Sequence, residues 1–272
     1  MRSFNRAAKG YDKVAVLQRT IGQRMLDRLQ LMRITPTWIV DLGAGTGYCS
    51  KLLAEAYPNA KIIAVDFAEQ MLRQAESQSG KGSVHCLAAD AVQLPLADHS
   101  CDFIFTNFML PWCLDLERLF TEFQRVLKAG GLLMFSTLGP DTLKELRQSW
   151  HKVDQFTHVN PFFDMHDVGD LLLQCRFVDP VMDMEKMTLT AKNPKKLVTD
   201  LKAMGSKLLV EERNPGLVTR NRLQQMLTHY QQFQYADGRY PATFEIIYGH
   251  AWGSNRQGDE VLVSVDIPIA FH

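Results

Sequence analysis

The feature that most constrains this chain is Ile39-Val40-Asp41-Leu42-Gly43-Ala44-Gly45-Thr46-Gly47, an apolar strand that ends on a carboxylate and passes at once into alternating glycines. Glycine lets a backbone turn tightly and approach a ligand that any side chain would hold away. The spacing separates two ligand classes. A dinucleotide fingerprint, G-x-G-x-x-G, seats a pyrophosphate on a helix N-terminus and would here need glycine at position 48. That position is Tyr48. Asp41, just ahead of the turn, would repel a pyrophosphate and suits a cationic aminoacyl group. S-adenosylmethionine (SAM) carries such a group.

A second apolar run, Lys61-Ile62-Ile63-Ala64-Val65-Asp66, also ends on a carboxylate, 19 residues beyond Gly47 (66 minus 47). An acidic residue roughly 20 positions past a glycine turn falls at the tip of the next parallel strand, where it accepts from both ribose hydroxyls. Either aspartate alone reads equally well as a helix cap. Together, with the glycines between them, they point to SAM. The cofactor-binding set expected around this turn is Asp41, Gly43, Gly45, Gly47, Asp66, Phe67 and Met71.

Strands and helices alternate along the chain. Residues 11–31 place Tyr11, Val14, Leu17, Ile21, Met25 and Leu29 at steps of three and four, one amphipathic helix. Strands are expected at 38–41, 61–66, 84–89, 101–106 and 132–137, the last after a Gly130-Gly131 turn, with a helix over 48–56 and another opening at 68–71. This rhythm predicts an α/β fold with a mostly parallel sheet and helices on both faces, its ligand at the carboxyl ends of the strands. Asp90 and Ala91, after the third strand, would hold the adenine amino group. Asn107, in the segment 106–112 after the fourth, would face the sulfonium and methyl. Beyond residue 140 the spacing predicts helices over 142–153, 164–174, 194–212 and 219–233, and strands over 181–190 and 243–252. The expected division is an N-terminal helical entrance (1–35), a SAM-binding core (36–193), an inserted helical lid (194–240), and a final strand with a C-terminal extension (241–272).

Lys plus Arg and Asp plus Glu both number 30, so no overall basic field marks a nucleic-acid binder. Five cysteines, none in a C-x-x-C pair, suggest neither a disulfide framework nor a zinc site, and the eight histidines show no metal-ligand spacing. No run of 18 apolar residues occurs, so neither membrane nor nucleic acid is expected as a partner, and the cytoplasm is the expected location.

Several segments beyond the glycine turn resemble one family. They are Phe4-Asn5-Arg6-Ala7-Ala8-Lys9-Gly10-Tyr11-Asp12, Leu17-Gln18, Val159-Asn160-Pro161-Phe162, Asp164-Met165-His166-Asp167-Val168-Gly169-Asp170, Leu201-Lys202-Ala203-Met204-Gly205, Gly238-Arg239-Tyr240-Pro241 and Tyr248-Gly249-His250-Ala251-Trp252-Gly253. Over most of its length the chain is similar to the malonyl-[acyl-carrier protein] O-methyltransferases of the BioC type. The resemblance implies a Rossmann-like class I methyltransferase with a seven-stranded sheet. It also implies esterification of the free carboxyl of a malonyl thioester, early in pimeloyl and biotin synthesis, with S-adenosyl-L-homocysteine (SAH) as product. The sequence departs from that family at Phe67, where many relatives place a small polar residue, and in residues 254–272, which run past the usual end. Asp141 to Arg147 also matches a D-T-L-x-E-L-R segment of mitochondrial complex I assembly factor 5. That likeness offers a protein-arginine hydroxylase, or a non-catalytic SAM-binding assembly factor, as alternatives.

A carboxylate with a reference pKa near 4 is about 99.9% ionised at pH 7, so its methylation requires no general base. Alignment of oxygen, methyl and sulfur remains, worth roughly 7–11 kcal/mol. A buried malonyl carboxylate needs one cation, for which Arg147, Arg239, Lys202 and Arg6 are the candidates. Tyr11 and Phe4 would close over SAM from the N-terminal segment. The carrier, acidic in the resembling system, would dock on Lys192, Lys195 and Lys196 with Lys202 or Lys207; malonyl-CoA is the alternative methyl-accepting thioester.

Overall fold

The computed structural model describes residues 5, 8–78, 84–203 and 219–254. Its seven strands are β1 (Trp38–Leu42), β2 (Lys61–Asp66), β3 (Val84–Ala88), β4 (Cys101–Asn107), β5 (Leu127–Leu138), β6 (Val178–Ala191) and β7 (Tyr240–Trp252). They form one sheet in the order β3-β2-β1-β4-β5-β7-β6. β1 to β5 pair in parallel, and β7 runs antiparallel to both β5 and β6. This is the mostly parallel sheet that the sequence predicts. Strand order reverses between β1 and β4, which opens a crevice at their carboxyl ends.

Alternation within the central strands explains why both faces are covered. Ile39, Phe103 and Met134 belong to one apolar cluster, whereas their neighbours Val40, Ile104 and Phe135 belong to the other. On the first face lie α1 (Tyr11–Val14), α2 (Val16–Leu29) and α3 (Tyr48–Ala56). The helical stretch expected as one piece over 11–31 is broken at Ala15, whose ψ of 37° leaves helical space. α4 (Glu69–Gln78) follows β2. The other face is covered by α5 (Leu116–Val126), with Leu116, Leu119, Phe120, Phe123 and Val126 buried at helical spacing behind the N-cap Asp115.

Sequence reading passed over α5, although its cap and apolar period are both present. Gly130-Gly131 is likewise not a turn before β5. The strand runs through it, and the register against β4 shifts there.

α6 (Lys144–His151) and α7 (Met165–Gln174) come next. Glu145 is a buried carboxylate that takes both the backbone N–H (3.1 Å) and the hydroxyl of Thr243, and Leu143 N donates to the Thr243 carbonyl at 2.6 Å. These bonds staple α6 to β7. α8 (Pro194–Ala203) and α9 (Arg220–Tyr230) lie in the segment expected as an insertion. Leu197, Val198, Leu201, Met226 and Tyr230 enter the same apolar cluster as Leu17 and Ile21 of α2, and α8 touches α1. The insertion therefore packs over the face that carries the N-terminal helices. The far end of the helix expected over 194–212, and residues 255–272 of the expected C-terminal extension, lie outside the described residues.

Candidate cofactor cleft and adjoining cavities

The turn leaving β1 is closed by its own backbone. Gly43 and Ala44 donate to the Val65 carbonyl at 2.8 and 3.0 Å, and Gly47 donates to Ala44 at 2.9 Å. Gly45 and Gly47 both have positive φ (55° and 84°) but answer to different neighbours. A Cβ on Gly47 would stand 2.7 Å from the Ala75 Cβ of α4, whereas one on Gly45 would meet nothing within 4 Å. Gly47 is thus a packing residue. Gly45 faces open space in the cleft, where a ligand can come against bare backbone.

Of the expected residues, Tyr11, Gly43, Gly45, Asp66, Phe67, Met71, Asp90, Ala91 and Asn107 line that cleft, together with Met109 and Trp112. It holds about 940 Å³ of non-atom space, counting the open solvent at its mouth. A recess behind the turn adds Asp41, Thr46, Tyr48 and Cys49 and shares Tyr11, Gln18, Gly43, Gly45 and Asn107 with the cleft. Gly47 lines neither of these cavities.

Burial governs the electrostatics. Asp66 accepts from Gly45 N at 2.9 Å and Ala68 N at 2.8 Å, yet burial holds its carboxyl above the usual carboxylate range. The Phe67 N–H serves the same carboxylate, and the lone-pair capacity left over is what a ligand donor could use. Asp41 is only 1% exposed and takes the Ser50 hydroxyl at 2.5 Å. Burial pushes it up to about 7; the nearby Asp66 charge adds to this, and the Ser50 bond opposes it. A cation in the recess would restore its charge. Tyr11 is pushed up to about 12, by burial first and then by Asp66 and Asp12, so it stays a neutral phenol.

The N-terminal segment is tied across the turn. Asp12 receives Thr46 Oγ1 at 2.6 Å and Gln78 Nε2 at 3.1 Å, and Asn5 accepts from Gln70 N at 3.0 Å. Asn107 donates to the Gln18 carbonyl at 2.8 Å and accepts from Ser136 Oγ at 2.8 Å. Asp90 stands at the cleft edge, with one oxygen bound to Val92 N at 3.1 Å, so it makes a turn and lines the cleft together.

Two of the residues that shape this region escaped sequence reading. Ser50 sits one turn inside α3, and no local pattern distinguishes it. Gln18 was visible only as part of a resemblance. Its Oε1 is buried and meets no donor among the described residues. Such an orphan costs about 1–3 kcal/mol unless a ligand supplies the donor. The bare backbone at Gly45, the carboxylates at both strand tips and this unfilled acceptor suit a ligand with a ribose diol and an ammonium group.

The candidate cations fall in different places. Arg147 donates to the carbonyls of Pro140 (2.8 Å) and Thr142 (3.0 Å) and lines a second cavity with Trp150, His151, Phe156, His158 and Phe162. There His158 is bound to Asp154 at 2.8 Å and stacks on Trp150 with ring centroids 3.8 Å apart. A third cavity shares Cys113 with the cofactor cleft, and Pro161 and Phe162 with the Arg147 cavity. The three cavities are therefore neighbours with shared walls. Arg239 is exposed, bound to Thr190 Oγ1 at 3.1 Å, in the turn just before β7. β7 starts six residues before Ile246, which pairs with the last residue of β5 (246 minus 240), so the β6–β7 ladder overhangs β5 by about 20 Å. Phe4, Arg6, Lys207 and the side chain of Lys202 lie outside the described residues. Lys192, Lys195 and Lys196 are exposed, and Lys196 is paired with Asp200 at 2.5 Å. Among the described residues no cluster of His, Cys, Asp or Glu has metal-binding geometry, and no helix is long and apolar enough to cross a membrane.

Comparison with known proteins agrees with this geometry. A methyltransferase-domain family model matches residues 40–135, from β1 to β5. The chain is 45% identical over 272 residues to the malonyl-[acyl-carrier protein] O-methyltransferase of Gallionella capsiferriformans, covering 96% of this chain and 93% of that one. It is 41% identical to malonyl-[acyl-carrier protein] O-methyltransferase 1 of Coxiella burnetii, covering 97% and 93%. Among solved structures, the YcgJ protein of Bacillus subtilis superposes with a TM-score of 0.60 at 18% identity, over 86% of this chain and 99% of that one, a likeness of fold. With such identity held over nearly the full length of both sequences, the chain belongs to the malonyl-[acyl-carrier protein] O-methyltransferase family.

Proposed function

We propose that the chain transfers the methyl group of SAM to the free carboxylate of a malonyl thioester on acyl carrier protein, releasing SAH. The observation that carries this reading is the composition of the cleft. Its titratable side chains are Asp66, Asp90, Cys113 and Tyr11, the last two with pKa values raised chiefly by burial. The described lining has no histidine or lysine to take a proton from an amine or hydroxyl acceptor, and both of its carboxylates are assigned here to the cofactor. A carboxylate acceptor arrives already ionised.

When bound, SAM supplies an electrophilic methyl that an oxygen attacks in line with the sulfonium. The protein's part is positional. Asp66 would take the ribose hydroxyls, Asp41 the ammonium, and Asp90 with Ala91 the adenine edge. Phe67 and Met71 would flank the ring, and Tyr11 would close the cleft. Asn107 is held by Ser136 and Gln18, which keeps the end of β4 rigid beside the methyl.

The malonyl carboxylate would meet the methyl in the cleft while the thioester arm runs out past Cys113, Pro161 and Phe162 toward Arg147, the candidate cation that lines the adjoining cavity. Arg239, Lys202 and Arg6 would act at the mouth or in carrier docking, with Lys192, Lys195 and Lys196 as the outer basic surface. α8 and α9 would form the lid over the substrate side. Acyl carrier protein is preferred to coenzyme A as the carrier, in keeping with the names of the relatives.

Incubation with methyl-labelled SAM and malonyl-acyl carrier protein tests the reading. Label recoverable as methanol after mild alkali supports a methyl ester. No label in the acyl group, from protein that binds SAM, contradicts it.

A further inference from the structure

We propose that Gln18 and Arg19, adjacent residues of α2, hold the amino-acid end of the cofactor, the Gln18 Oε1 accepting from its ammonium and the Arg19 guanidinium meeting its carboxylate. The inference rests on the SAM reading above and adds two residues to it.

Gln18 is fixed in place by its surroundings. Its backbone carbonyl takes the Asn107 side chain at 2.8 Å, which pins this turn of α2 to the end of β4. One turn further on, Gly22 lets α2 press on α3, since a Cβ there would stand 2.6 Å from Cys49 Sγ. Positions 18 and 22 share a helix face, so the close approach at Gly22 drives the Gln18 side chain into the space between the two helices. Gln18 lines both the cleft and the recess behind the glycine turn, and its buried Oε1 has no donor there. An amide oxygen held in a ligand cavity without a partner is an acceptor awaiting an N–H.

The recess is zoned by charge. Asp41 provides the negative side. Arg19 lines the same recess, and its guanidinium has no ion pair or hydrogen bond among the described residues. Asp12, the other carboxylate nearby, is engaged by Thr46 and Gln78. A recess lined by the acceptors Gln18 and Asp41, by the engaged carboxylate Asp12 and by Arg19 matches a zwitterion. Within the cofactor only the methionyl end carries both an ammonium and a carboxylate; the adenosine end carries neither.

Paired titrations with SAH and 5′-methylthioadenosine, which lacks the amino-acid end, test the assignment. Gln18→Met keeps length and helix propensity and removes the acceptor. It is expected to weaken SAH about 10- to 100-fold while methylthioadenosine binds as it does to the unaltered protein. Arg19→Met is expected to act in the same selective way, with partial recovery in Arg19→Lys. Gln18→Glu keeps both length and acceptor and is expected to retain SAH binding, so the idea stays testable should Gln18→Met fail to fold. Equal weakening of both ligands would mean that Gln18 only supports the fold, and unchanged SAH affinity in Gln18→Met would remove it from the site. Loss of SAH binding alone in Gln18→Glu would overturn the acceptor role. If the unaltered chain binds neither ligand, the SAM reading itself fails, and the inference falls with it.

Discussion

The amide of Gly45 donates to Asp66 Oδ2 at 2.9 Å, fastening the glycine turn that ends β1 to the carboxylate that ends β2. The same side chain therefore shapes the turn and, in the proposed complex, receives the ribose diol. Asp66→Ala is expected to raise the Kd for SAM at least about 100-fold, from two lost charge-assisted hydrogen bonds. Calorimetric titration measures this. Affinity within a few-fold of the parent would remove Asp66 from the cofactor site.

Asp41 makes the site pH-dependent. Its carboxyl is raised from 3.8 to about 7, so the folded, ligand-free protein holds a proton that the unfolded chain gives up. Its contribution to stability is present at acid pH and is lost as pH rises through about 7. Binding of a cation runs the other way, because it favours the ionised form. SAM affinity is expected to rise from pH 6 to 8 while the unfolding temperature of the free protein falls. Asp41→Asn should flatten both trends and weaken binding. Proton release measured in buffers of different ionisation enthalpy at pH 6 checks the sign.

The glycines of the turn separate stability from binding. Gly47→Ala meets Ala75 at 2.7 Å with φ of 84°, and is expected to cost about 2–4 kcal/mol of stability. Gly45→Ala meets nothing, so its cost is limited to the backbone, about 1–2 kcal/mol. It should instead obstruct the ligand. Thermal unfolding with and without SAH distinguishes them, and a destabilised Gly45→Ala with full affinity would reverse the assignment.

Much of the cofactor region was legible because its signals are local. Asp41 and Asp66 end apolar runs, and the glycine spacing between them follows from chain geometry alone. Helix α5 was equally legible, since Asp115 caps a segment with Leu119, Phe120 and Phe123 at helical spacing. Gln18 and Ser50 were not legible in this way. Gln18 matters because Gly22 lets α2 close on α3, and Ser50 because Asp41 points back toward its helix. Neither relation leaves a pattern in the sequence. Arg147 was found as a charge, but its place in a cavity beyond the cleft depends on the stapling of α6 to β7 through Glu145 and Thr243.

On the proposed route, Arg147 contacts the acyl substrate and not SAM. Arg147→Met is expected to raise the KM for malonyl-acyl carrier protein about 10-fold with SAM affinity unchanged, whereas exposed Arg239→Met should have a smaller effect that weakens with salt. Steady-state kinetics on both substrates separates these outcomes. Loss of SAM binding in Arg147→Met would refute the separation of the two cavities.

The central claim concerns the acceptor atom, and intact-mass spectrometry of the carrier protein tests it most directly. After incubation with SAM, malonyl-acyl carrier protein is expected to gain the mass of one methylene, while acetyl-acyl carrier protein, which lacks the free carboxyl, stays unchanged. A gain on the acetyl form, or no gain on the malonyl form by protein shown to bind SAM, would contradict the account.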